Sequence, residues 1–95
     1  MIRIANKAVS AVLVLIGDVD IIQLGQSSSV VQVYNRSVGA LYIRMDGVDP
    51  TVDGDDSFYV EPGRMRLFNV PNVDFPEIRV ISAGLNLGYR VENFQ

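Results

Sequence analysis

Apolar and polar side chains alternate every two residues in several separate stretches of this chain. That period belongs to β-strands, because successive side chains leave an extended backbone on opposite faces. Val31, Val33 and Asn35 share one side of a stretch whose other side carries Val30, Gln32 and Tyr34. Leu41, Ile43 and Met45 oppose Tyr42 and Arg44, and Ile78 and Val80 oppose Arg79 and Ile81. Leu85, Leu87, Tyr89 and Val91 share a face opposite Asn86, Gly88 and Arg90. Val and Ile supply 23 of the 95 residues, and β-branching favours strands over helices. All four prolines follow residue 49, which leaves no room for a long helix there. About eight short strands at roughly ten-residue spacing predict an all-β chain, a small antiparallel β-sandwich or jelly roll. Residues 1–95 read as one domain without repeat, linker or low-complexity tract.

The N-terminal segment, residues 1–17, holds an apolar run from Ala8 to Ile16. A secretory signal would need a longer run and a small-x-small cleavage site before Gly17-Asp18. An amphipathic helix ending at Gly17 would present apolar side chains on both faces. Val9, Val12, Val14 and Ile16 favour a strand buried on both sides, which in so small a domain predicts a subunit interface. The run is too short to span a bilayer, and no membrane association is expected. Asp18 and Asp20 then flank Val19 in a turn, and Ile21 to Leu24 form a short strand. Asn35 to Gly39 reads as a hairpin loop with Gly39 at a position open to positive φ. Asn35-Arg36-Ser37 also fits the glycosylation sequon, a pattern that three residues match often by accident. Val70 to Pro76 carries two prolines and reads as a crossing loop with Phe75 plugging one end of the core. Glu77 to Ser82 and Leu85 to Val91 read as a final strand pair around Ala83-Gly84.

The absence of Cys and His removes disulfides, thiolate chemistry, the usual general base and the commonest metal ligand. No catalytic residues and no cofactor are expected. The formal charge of −3 and the lack of a basic run argue against a nucleic-acid partner. Arg outnumbers Lys seven to one, a bias that suits interfaces. The acidic stretch between Met45 and Ser57 carries Asp46, Asp49, Asp53, Asp55 and Asp56 with no basic side chain. Clustered loop carboxylates can supply the six to eight oxygens of a Ca²⁺ site, but the spacing fails the EF-hand pattern. A solvated loop built on Asp turns, with Gly47 and Gly54 at left-handed positions, is the first reading, and calcium is the alternative. Asp55 and Asp56 would point apart on a strand, unlike a glycosidase pair. Tyr34, Tyr42, Tyr59 and Tyr89 suggest edge-of-core residues, a protein interface or a glycan platform. Tyr42, Arg44, Arg64 and Arg66 join the N-terminal valines as interface candidates, and Arg79 is a further outward arginine.

Three runs, Q-V-Y-N-R-S-V-G-A-L-Y-I-R-M-D-G (32–47), F-Y-V-E-P-G (58–63) and I-R-V-I-S-A-G (78–84), resemble the small β-sandwich virion proteins of tailed bacteriophages. The similarity spans about residues 24–92 and consists of turn and strand punctuation, so no catalytic role travels with it. It implies a non-enzymatic virion protein, most simply a capsid decoration protein. Such a protein would form a symmetric homo-oligomer, for example a trimer, and bind a major capsid protein across capsomer seams. It would be assembled in the host cytoplasm and reside in the virion. A head–tail or tail accessory protein fits the same resemblance. A module binding glycan or a host surface through the tyrosines is the alternative of a different class.

Overall fold

The computed structural model describes residues 2–5, 8–11, 18–24, 30–70, 77–84 and 88–94. These form nine strands and no helix: β1 (Ile2–Ala5), β2 (Ala8–Ala11), β3 (Val19–Leu24), β4 (Val30–Asn35), β5 (Leu41–Arg44), β6 (Phe58–Val60), β7 (Met65–Asn69), β8 (Glu77–Ser82) and β9 (Tyr89–Phe94). Among the described residues there is therefore no helix long and apolar enough to cross a membrane. The strands make a five-stranded sheet in the order β1-β3-β8-β5-β6 and a four-stranded sheet in the order β2-β9-β4-β7. The all-β, sandwich-like prediction holds at this level. All pairings but one are antiparallel; β1 runs parallel to β3, with Ile2 opposite Ile21 and Ala5 opposite Leu24.

The alternating pattern fills the space between the sheets as expected. Ala5, Ile22, Leu24, Leu41, Ile43, Met45, Val60, Ile78 and Val80 enter it from the larger sheet and its margins. Val31, Val33, Phe68, Val70, Tyr89 and Val91 meet them from the smaller one. Removing these side chains from water is the main stabilising term of the fold.

The connections differ from the sequence reading. Within residues 1–17, Ile2–Ala5 and Ala8–Ala11 are separate strands in different sheets, each at an edge, and the apolar run that starts at Ala8 is described as strand as far as Ala11. Val9 lies in β2 opposite Val91, whereas Val12, Val14, Ile16 and Phe75 lie outside the described residues. Residues 36–40 are not a hairpin loop but a crossing from the smaller sheet to the larger. Asn35 fixes that crossing: it is fully buried, its amide donates to the carbonyls of Gly39 (2.8 Å) and Val60 (3.1 Å), and its Oδ1 accepts from the Ser37 N–H (2.9 Å). The glycosylation sequon is thus a buried side-chain turn. Likewise β8 and β9 do not pair with each other, since β8 lies between β3 and β5 while β9 lies between β2 and β4.

Asp20 is the clearest correction. It belongs to β3, not to a turn, and faces inward at 3% exposure. Its Oδ2 accepts from the Tyr89 hydroxyl at 2.5 Å and from Arg3 Nε at 3.0 Å. A carboxylate here is tolerable because a cation and a hydroxyl replace the water it lost. Tyr89 comes from the opposite sheet, so the contact clasps the two layers. Burial first, and the bond to Asp20 second, push the Tyr89 hydroxyl far above its ordinary pKa.

Candidate functional site

The two margins of the sandwich carry most of the exposed large apolar side chains. On one margin Ile2 and Ile4 of β1 are exposed at 62% and 63%. Arg3 and Ala5 take the inward positions on that strand, leaving the isoleucines on the outer face. On the other margin β6 ends the larger sheet and β7 ends the smaller, and the Glu61-Pro62-Gly63-Arg64 turn joins them at a corner. Gly63 sits at φ 70°, and the Arg64 N–H closes the turn on the Glu61 carbonyl at 3.1 Å. Only glycine adopts that conformation without strain.

Phe58 and Phe68 meet edge to face across the corner, with ring centroids 5.4 Å apart. The Arg66 guanidinium lies over both rings, at 5.6 Å and 5.2 Å from their centroids, and its Nη1 donates to the Tyr59 carbonyl at 2.7 Å. One arginine therefore satisfies an edge carbonyl of one sheet while seated on the other, which protects an otherwise open strand edge. Tyr59, Val60, Glu61, Arg64, Met65 and Arg66 line a groove of about 370 Å³ at this corner. Phe58, Tyr59, Met65 and Leu67 remain substantially exposed around it.

The acidic loop between β5 and β6 folds back on the outer face of the larger sheet. Asp53 accepts from the Tyr42 hydroxyl at 2.5 Å, and Asp49 accepts from Arg79 Nη1 at 2.7 Å. Arg44 makes a two-pronged pair with Asp46 and lies 3.7 Å from Asp56. The Arg44 guanidinium holds the Asp46 carboxyl down to about 2, while the bond to Asp53 raises the Tyr42 hydroxyl. Tyr42 and Ile81 are partners on the outer face, and both are buried. Gly47 is left-handed at φ 79°, but the second left-handed position is Asp53 at φ 58° rather than Gly54. Gly54 is required for space: a Cβ there would fall 2.0 Å from Thr51 Oγ1 and 3.1 Å from its carbonyl oxygen.

The proposed calcium aspartates are thus shared out between two arginines and a tyrosine, with Asp55 on the solvent side. Among the described residues no group of three or more Asp or Glu is arranged to hold a metal ion. Of the interface candidates, Tyr42 and Arg44 are engaged by the chain's own loop, and Arg66 caps the corner. Arg64 presents its side chain to solvent at 76% exposure, 4.0 Å from Glu61. Sequence reasoning missed the Asp20–Tyr89 clasp and the Phe58–Phe68–Arg66 stack, because each joins side chains from different sheets. The chain matches no protein-family model, no curated protein and no solved structure.

Proposed function

We propose that this chain is a non-enzymatic structural protein of a tailed-phage particle, a capsid decoration protein that self-associates on the shell. The observation that carries this reading is the pair of apolar margins, Ile2 and Ile4 on one side and Phe58, Tyr59, Met65 and Leu67 on the other, all 42–63% exposed. Exposed large apolar side chains gathered at the sheet margins of a small domain mark places where a neighbour can sit. The resemblance supplies the neighbour: its F-Y-V-E-P-G run builds β6 and the corner turn, and its N-R-S run builds the Asn35 crossing. Connections that pass repeatedly between the two sheets support a jelly-roll-like arrangement within the same reading. A glycan- or host-binding module is the second reading, favoured by the exposed rings of Tyr34 and Tyr59 at 37% and 42%.

The test is co-production with the major capsid protein of the genome that carries this gene, followed by sedimentation of the assembled shells. Retention at a fixed ratio and a higher melting temperature of the shells are expected. A gene standing among metabolic genes, or shells that sediment without the protein, would overturn the proposal. Glycan-array binding without shell retention would favour the second reading.

A further inference from the structure

The corner groove carries Arg64 and Arg66 against one glutamate, Glu61, whereas the acidic loop carries five aspartates around Val48 and Val52, so the two surfaces differ in charge. We propose that the acidic β5–β6 loop of one copy docks into the β6–β7 corner groove of a second copy. This rests on the self-association proposed above and names the surfaces that would perform it. In the groove, Tyr59 and Met65 give an apolar floor, 42% and 48% exposed. Arg64 stands at its rim, and among the described residues its ion-pair partner is the exposed Glu61 of the same groove, 4.0 Å away. Such a pair holds the guanidinium weakly, leaving it able to fork onto a carboxylate of a partner. Arg66, already fixed on two rings, keeps the groove in shape.

The loop offers the complement. Val48 and Val52 are 50% and 42% exposed, and their branched side chains would pack on Tyr59 and Met65 of a partner's groove. Among the described residues the loop aspartates meet two cations, Arg44 and Arg79, and Arg79 is shared with Glu77, which leaves the loop net negative. Asp46, Asp49 and Asp53 tie the loop to the outer face of its own sheet, beside the groove through the Tyr42–Tyr59 ring contact, and leave Val48 and Val52 exposed. It precedes β6, whereas the groove lies at the turn that follows β6. The contact is therefore between two different patches, the head-to-tail type that builds rings when the rotation closes.

Sedimentation equilibrium of the full chain tests this at low and high salt. The wild-type chain should self-associate, and more weakly at about 1 M salt, where charges are screened within a few ångströms. Arg64→Glu should weaken association roughly tenfold or more, as should Asp55→Lys combined with Asp56→Lys. Joining all three changes in one chain should restore most of it, because the reversed charges again face each other. Thermal melts confirm that each variant is folded. An unchanged mass for Arg64→Glu, failure of the combined variant to recover, or a monomeric wild type would overturn the inference. Shell retention is measured separately, so the decoration reading survives that outcome. Loss of shell retention by Arg64→Glu with self-association intact would assign the groove to the capsid protein and also sink the inference.

Discussion

Asp20 and Asp46 show how the same side chain acquires different work from its surroundings. Asp20, inside the sandwich, is held by Tyr89 from the opposite sheet and by Arg3 from the neighbouring strand. Removing the hydroxyl leaves a buried carboxylate short of a donor, a loss that costs about 1–3 kcal/mol. Tyr89→Phe is accordingly expected to lower the unfolding free energy by about that amount, read from denaturant midpoints at unchanged slope. Asp46 lies at the surface, where Arg44 lowers its carboxyl from 3.8 to about 2. A depressed carboxyl stabilises the fold above its unfolded value, and that contribution fades as pH falls from 3.8 to about 2. A carboxyl-carbon NMR titration should therefore place Asp46 near 2, and Arg44→Ala should return it toward 3.8.

At the scale of elements, the sheet edges are what the chain must manage. The β1–β2 segment passes from one sheet to the other at one margin, and β6–β7 does so at the other. Arg66 joins the second margin by stacking on Phe58 and Phe68 and by donating to the Tyr59 carbonyl. Arg66→Ala should cost about 1 kcal/mol through lost stacking and packing of the side-chain stem. Arg66→Lys should recover little, because an ammonium cannot lie flat on two rings while reaching the carbonyl. Equal stability of all three chains in urea unfolding would remove the capping role. Strand existence was legible here, since alternation marks β4, β5 and β8 almost to the residue. The cap was not, because nothing in Arg64-Met65-Arg66 distinguishes the arginine that seals the corner from the one that faces water.

Across the whole molecule, consecutive strands change sheet at every connection except β5 to β6. Neighbours in space are therefore distant in sequence: β3 meets β8, and β4 lies between β9 and β7. Loop-closure entropy must be spent before such pairings bring any return, so refolding is expected in milliseconds to seconds, the range of all-β domains. Stopped-flow fluorescence of the tyrosines would check this, and a microsecond relaxation would contradict it. By itself the sequence determined the strand class and most of the inward-facing residues, because side-chain period is a local property of the backbone. Strand partners were decided by the tertiary structure, since alternation says which face is buried but not which strand lies beside it. The same holds for Asp20, which local pattern places in a turn next to Asp18. A tyrosine 69 residues away, brought in from the other sheet, together with Arg3 from the neighbouring strand, makes its burial possible.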